Sequence, residues 1–281
     1  MKATKQALPA YAVTQTPLSE AQVSEFAERG YLVFDLDVSS DFLDSLVARV
    51  EPCYPEDRRL NPTAPARAQD AWKRIDEVRQ LAVLPLALGA LEQLFGRRAL
   101  PFQTLNFPIG TRQATHSDIV HFNSIPSGFM AGVWVALEDI DLDNGPLQYY
   151  PGSHLLPEYA MQDFDLEPSY DNYRFYEENI KALVEARGLQ HEFGTIKRGQ
   201  ALIWHANLLH GGAAQTDLSR SRHSQVTHYY FEDCQYYTPM HSGAEGLSLR
   251  DPFWIPATAE FSLPEDRPVS RLKRFVRRLI R

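Results

Sequence analysis

The chain has 281 residues, 44% of them hydrophobic, and 28 basic side chains against 36 acidic ones give it a net charge of −8. That length and apolar content suffice for one large core and predict one domain over 1–281, while the acidic balance argues against nucleic acid as a partner, because neutralising phosphates needs a broad basic surface. Cys53 and Cys234 are too few for a disulfide framework or a thiolate metal site, and no stretch approaches the ~20 continuous apolar residues that a bilayer-spanning helix needs.

In chain order, residues 1–17 are polar without an apolar signal core, so a reducing cytoplasm is the expected compartment. Apolar side chains recur at helical spacing over 18–30 and 40–51, with Ser19 and Ser40 as N-caps, and again over 83–94, a helix ending before Gly96. Residues 54–70, rich in Pro, Arg and Ala, read as a loop. Short strands follow at 101–108, 114–120, 130–138, 147–150, 191–196, 200–205, 208–213 and 224–231, punctuated by Gly, Pro and Asn. Eight such strands predict a mainly β fold with flanking helices: N-terminal helices over 18–100, and a double-stranded β-helix, the cupin-like jelly roll, over 101–231.

Two segments stand apart from this core. The insertion at 155–190 carries Tyr159, Phe164, Tyr170, Tyr173, Phe175 and Tyr176 before a helix-like stretch; its place between core strands predicts a lid over a cavity mouth, or a packing helix in its second half. The C-terminal extension, 232–281, ends in residues 271–281, where six basic side chains and no acidic ones accompany apolar residues at helical spacing. The remaining chain holds 22 basic and 36 acidic residues, a net −14. This basic amphipathic tail either docks on the protein's own acidic body or attaches peripherally to an anionic membrane or a partner.

The chemistry concentrates at His116-Ser117-Asp118 and, far downstream, at Trp204-His205-Ala206-Asn207-Leu208-Leu209-His210-Gly211-Gly212 and Arg222. A strand sends alternate side chains to one face, so His116 and Asp118 point together into one cavity while Ser117 points away. With His210 from a distant strand they make a two-histidine, one-carboxylate face that leaves sites open on a metal, the ligand set of non-haem Fe(II) oxygenases. The guanidinium of Arg222 can hold an anion beside it. His205 lies an odd number of residues from His210 and on a continuous strand faces the other way. No Gly-x-Gly-x-x-Gly or phosphate-binding loop is present to suggest nucleotide chemistry.

With Gly132-Val133-Trp134-Val135-Ala136-Leu137-Glu138-Asp139, the turn at Asp143-Asn144-Gly145-Pro146-Leu147 and Pro151-Gly152-Ser153-His154, the order of motifs resembles the phytanoyl-CoA dioxygenase family of Fe(II)- and 2-oxoglutarate-dependent oxygenases, over about 18–231. The resemblance implies a single catalytic domain using Fe(II), 2-oxoglutarate and O2, in which His116, Asp118 and His210 are catalytic metal ligands. Arg222 then binds 2-oxoglutarate, with Arg220 the alternative in a shifted register, and Trp134 lines the co-substrate pocket. The implied reaction is hydroxylation of an unactivated C–H bond of a small-molecule metabolite with release of succinate and CO2. Asp118 favours this over chlorination, since halogenases of this type carry a small residue there, while desaturation or cyclisation can arise from the same site.

One departure stands out. The family often places a serine or threonine two residues past the distal histidine to help bind the far carboxylate of 2-oxoglutarate, and here that residue is Gly212. Gln103, then Asn106, on the strand at 101–108 are the expected substitutes, and Gly211-Gly212 is expected to let co-substrate approach the backbone. Arg112, His121 and Asn123 flank the metal dipeptide and are the expected substrate contacts. The other classes of reading are a jelly-roll protein that binds a sugar or other small molecule without chemistry, and a cupin-like metal enzyme independent of 2-oxoglutarate. Neither the substrate nor the oligomeric state follows from these residues.

Overall fold

The computed structural model describes residues 8–56 and 66–259; the basic tail at 271–281 and most of the 54–70 loop lie outside them. Helix α1 (Glu20–Arg29) starts at a capping box in which Ser19 and Gln22 satisfy each other's backbone, and it leads into strand β1 (Tyr31–Asp35). Helix α2 (Ser40–Val50) is capped by Ser39, not by Ser40: the Ser39 hydroxyl accepts from Phe42 N, and Ser40 is already helical. After β2 (Ala68–Gln69) comes a seven-residue helix, α3 (Asp76–Ala82), that apolar spacing does not predict. It is too short to show periodicity and is held by Asp76, which accepts from Arg79 Nε at 2.7 Å. Helix α4 (Pro85–Phe95) begins with proline at its first position, where a missing N–H costs nothing, and ends at Gly96. Together α3 and α4 are apolar and long enough by composition to cross a membrane, but half of the run is buried inside the protein.

The jelly-roll core is built from two antiparallel sheets. Strands β3 (Ala99–Phe107), β5 (Met130–Ala136), β8 (Gln200–His205) and β10 (Ser224–Phe231) join β1 and β2 in the order β1-β8-β5-β10-β3-β2. Facing it are β6 (Leu147–Tyr149), β7 (Glu192–Phe193) and β9 (His210–Gly212), in the order β7-β6-β9. The central strands are buried on both faces, and their alternation assigns each face a task. Ala131, Val133 and Val135 of β5, with Ala201 and Ile203 of β8, pack against Phe26, Leu43, Leu46, Val78 and Leu88 from the helices. Trp134, Leu202, Trp204 and Val226 point the opposite way, toward Leu147 and Tyr149 of the smaller sheet, and Trp134, Trp204 and Val226 form the floor of a cavity between the sheets.

The 155–190 insertion forms short 3-10 turns and α5 (Tyr173–Arg187), whose Tyr176, Ile180 and Val184 are buried with Met161, Leu209 and Met240. A third small sheet, β4 (Asn123–Ile125) with β11 (Gln235–Tyr237) and β12 (Leu249–Arg250), in the order β12-β11-β4, brings Arg250 to the cavity wall from the segment after the jelly roll.

The expected strand at 114–120 does not form. Only His116 pairs, through a single antiparallel bridge to His210, with His116 N donating to His210 O at 2.9 Å and His210 N to His116 O at 3.0 Å. The chain then turns into a 3-10 helix over Asp118–Val120, capped by the Ser117 hydroxyl, which accepts from Ile119 N. A side chain that can satisfy the backbone locally competes with the strand ladder, and here it wins.

Candidate metal and co-substrate site

The single bridge and the turn after it do the work expected of a strand. The bridge sets His116 opposite His210, their rings 4.5 Å apart, while Asp118 N donates to Ala206 O and swings its carboxylate between them. His116 Nε2 lies 3.7 Å and His210 Nε2 3.9 Å from Asp118 Oδ1, and one ligand atom from each of the three residues falls within 4.8 Å of the others. Ser117 points away, its hydroxyl donating to Ala206 O.

The surroundings orient all three. His116 Nδ1 lies 2.9 Å from Ala114 O and His210 Nδ1 2.9 Å from Leu208 O; a carbonyl there demands Nδ1–H, which leaves the lone pair on Nε2 of each ring, that of His116 with the Gln113 side-chain amide 3.2 Å away. Trp204 Nε1 donates to Asp118 Oδ2 at 2.8 Å, so Oδ1 is the oxygen left facing the imidazoles. Trp204 can lie there because it crosses the backbone at Gly132: a Cβ on that residue would sit 2.2 Å from the indole ring.

Electrostatics match this arrangement. Burial alone would raise the Asp118 carboxyl, but His210, His116 and His228 around it outweigh that and hold it well below the usual carboxylate range. Burial pushes His210 down to about 4, whereas for His116 the hydrogen bond and charge of Asp118 overcome burial and raise it. An ionised carboxylate between imidazoles of which at least one stays neutral is a donor set for a divalent cation.

Arg222 precedes β10, with its backbone N donating to Pro108 O, and is 1% exposed. Its Nη1 donates to Ser224 Oγ at 2.8 Å, its guanidinium carbon lies 5.4 Å from the Trp134 ring and 5.9 Å from that of Phe107, and its Nε is buried without a partner. Burial lowers it only to about 10, so it remains a cation at neutral pH. No acidic side chain among the described residues pairs with it. Trp134 Nε1 is likewise buried and unpaired, and both residues line a cavity of about 520 Å³ that also exposes His116, Asp118 and His210. Arg220 is not the alternative: Nη1 binds both oxygens of Asp141, at 2.8 and 2.9 Å, away from the cavity.

Of the remaining expected residues, Gln103 and His121 reach the cavity and three do not. Gln103 Oε1 lies 3.0 Å from His228 Nδ1, and His121 packs against Tyr173, ring centroids 5.0 Å apart. Asn106 is buried on the opposite face of β3, where Nδ2 donates to Gln225 Oε1, because residues three apart on a strand cannot share a face. Asn123 donates to Glu158 at 2.9 Å, which ties β4 to the insertion, and it does not line the cavity. Arg112 is exposed in irregular backbone with φ 52° and does not line the cavity.

The departure at Gly212 also resolves differently from expectation. The space its side chain would fill is taken by protein: a Cβ there would lie 2.6 Å from Thr111 Oγ1 and 2.8 Å from Arg112 N, and one on Gly211 would lie 2.7 Å from Gln113 O. The glycines admit the 111–114 segment, which brings the Thr111 hydroxyl to the place of the missing one, and Thr111 and Gly211 both lie on the cavity wall. From the insertion, Tyr170 and Tyr173 reach the cavity.

Sequence reasoning overlooked His228, whose Nε2 is 3.9 Å from Asp118 Oδ2. The signal was present: 222, 224, 226 and 228 alternate along one strand face, so His228 had to share the cavity with Arg222. Arg67 and Arg250, also on the cavity wall, carried no such signal.

Comparisons with known proteins agree with this geometry. Residues 11–224 match the family model described as phytanoyl-CoA dioxygenase. The chain is 29% identical over 168 residues to phytanoyl-CoA dioxygenase domain-containing protein 1 of Danio rerio, covering 56% of this chain and 48% of that one, so it spans about half of that relative. To the peroxisomal phytanoyl-CoA dioxygenase of Rattus norvegicus it is 24% identical over 267 residues, covering 85% and 76%. Among solved structures, the non-heme alpha ketoglutarate dependent carbocyclase SnoK from nogalamycin biosynthesis shares the fold with a TM-score of 0.64 at 19% identity, over 80% of this chain and 89% of that one.

Proposed function

This chain belongs to the phytanoyl-CoA dioxygenase family, and from that premise we propose that it is an Fe(II)- and 2-oxoglutarate-dependent dioxygenase that hydroxylates an unactivated C–H bond of a small-molecule metabolite, with release of succinate and CO2. One observation carries the reading: three buried ligand atoms converge beside a buried guanidinium that has no acidic partner among the described residues. An isolated buried cation costs several kcal/mol, about as much as an unpaired carboxylate would, and is kept where an anion is to be bound. Neither a neutral sugar nor a bare metal would answer that charge, which favours 2-oxoglutarate over the binding-protein and 2-oxoglutarate-independent readings.

The residues present fit the cofactors. His116, Asp118 and His210 would hold ferrous iron, and Arg222 the far carboxylate of 2-oxoglutarate. Bound together with O2, these supply a two-electron oxidation of a C–H bond, chemistry that no side chain performs. The protein's part is positioning. Ala114 O and Leu208 O keep the ring tautomers that present Nε2, and Trp204 keeps one carboxylate oxygen occupied so that the other faces the metal. Trp134 and Phe107 wall the guanidinium from water, and Thr111 contributes the hydroxyl that Gly212 lacks. Tyr170 and Tyr173 of the insertion would cover bound substrate.

The test is oxygen consumption coupled to succinate formation, with iron and 2-oxoglutarate supplied, across a metabolite panel. Coupled turnover that vanishes in Asp118→Ala is expected. Iron affinity and turnover that survive Asp118→Ala would overturn the reading.

A further inference from the structure

Two more guanidiniums open onto the same cavity, and neither is needed by the metal or by 2-oxoglutarate. Arg250, on β12, donates from Nη1 to Thr238 Oγ1 at 3.0 Å, and its carbon lies 4.8 Å from the Phe122 ring and 5.7 Å from that of Phe102. Its Nε is buried with no partner. Arg67, leading into β2, lies exposed at the rim. Neither is ion-paired with an acidic side chain among the described residues, and Asp118 is the one carboxylate among the residues lining the cavity.

The charges decide what the cavity lacks. Asp118 offsets Arg222, and the two charges of a ferrous ion offset those of the 2-oxoglutarate dianion. Arg67 and Arg250 then remain unbalanced in a confined space, where the aromatic walls weaken solvent screening. Phe122 stands between the two centres, its ring 4.8 Å from the Arg250 carbon and 5.2 Å from that of His228, which in turn neighbours Asp118. Arg250 lies beyond the residues that match the family model, so this feature is carried by the chain's own C-terminal extension.

We propose that the substrate carries an oxyanion, a carboxylate or a phosphate, which Arg250 binds with Arg67 assisting at the rim, while its apolar part lies along Phe122 and Tyr173 toward the metal ligands. A planar guanidinium held by ring stacking and one hydroxyl presents its remaining N–H groups in the fork that oxyanions accept. The proposal rests on the dioxygenase reading and fixes its substrate class.

The experiment measures binding to the iron-loaded, 2-oxoglutarate-loaded protein without oxygen, by calorimetry. The probes are hexanoate against hexanamide, phenylacetate against phenylacetamide, and phenyl phosphate against phenol, so that the arms separate carboxylate from phosphate. At least one acid is expected to bind about tenfold or more tightly than its neutral counterpart, as a charge-assisted hydrogen bond provides. Arg250→Gln should bring that ratio close to one and Arg250→Lys should retain part of it, while both keep the 2-oxoglutarate affinity of the unaltered protein. A panel in which no acid outbinds its neutral partner, or an acid preference untouched in Arg250→Gln, overturns the proposal. If Arg250→Gln weakens 2-oxoglutarate as Arg222 substitution does, Arg250 belongs to the co-substrate and the proposal also fails. Failure of 2-oxoglutarate to bind the iron-loaded wild type, measured first, would instead sink the reading beneath it.

Discussion

Trp204 donates its indole N–H to Asp118 Oδ2 at 2.8 Å, and the other oxygen, Oδ1, is the one that faces both His116 and His210. The tryptophan thus decides which oxygen is offered. Trp204→Phe keeps most of the buried ring and removes the bond. Partners of this kind are worth about 10- to 100-fold in metal affinity, so iron binding should weaken by that factor while thermal stability falls far less in proportion. Equal iron affinity in the two proteins would show that Asp118 is oriented by something else.

Arg222 makes opposite contributions to ligand binding and to stability. Arg222→Met should weaken 2-oxoglutarate by about 100-fold or more, since removing one side of a buried charge pair typically costs 2–5 kcal/mol. In the absence of 2-oxoglutarate the same variant should unfold at a higher temperature than the wild type, because an apolar chain of similar length replaces a buried cation with no acidic partner among the described residues. A lowered unfolding temperature together with unchanged 2-oxoglutarate affinity would contradict both halves.

If Thr111 supplies the hydroxyl that Gly212 lacks, removing it should act on the co-substrate alone. Thr111→Val is nearly isosteric and should raise the dissociation constant of 2-oxoglutarate by about tenfold, the effect of one hydrogen bond to a charged group, whereas Thr111→Ser should leave it near the original value. Iron affinity should not change in either. Identical 2-oxoglutarate binding in the valine and serine variants would remove Thr111 from the site.

His205 gives a pH dependence that can be isolated from the metal ligands. It is stacked near Phe95, accepts from Asn207 N at Nδ1, and burial pushes it down to about 4. The folded protein therefore prefers the neutral ring, and the unfolded chain, titrating near 6.5, takes up the proton first. Its contribution is complete above about pH 6.5 and is lost as the pH falls toward 4, by about 3 kcal/mol at roughly 1.4 kcal/mol per pKa unit. Denaturant unfolding at pH 7 and at pH 4.5 should show a smaller difference for His205→Gln than for the wild type. An equal difference would mean that other groups carry the acid sensitivity.

The site was legible wherever one strand or one turn of sequence sets the geometry. Alternation from Arg222 into β10 gives Arg222 and His228 a shared face, whereas a turn between β8 and β9, not the odd interval, separates His205 from His210. The same rule, applied strictly, rejects Asn106 once Gln103 faces the cavity. It failed at His116-Ser117-Asp118, where a hydroxyl cap turned the chain after a single bridge, and it was silent on Asn123, whose partner Glu158 lies 35 residues away.

By itself, then, the sequence determined the candidate ligand types, the jelly-roll strands other than that at 114–120, and the distal arginine, because each depends on period and spacing within a short segment. Only the tertiary structure decided that Trp204 orients Asp118, that Thr111 fills the space beside Gly212, and that Arg250 reaches the cavity from the far end of the described chain. Those relations join segments distant in sequence through packing, and neither period nor spacing encodes which distant side chain arrives at a given point.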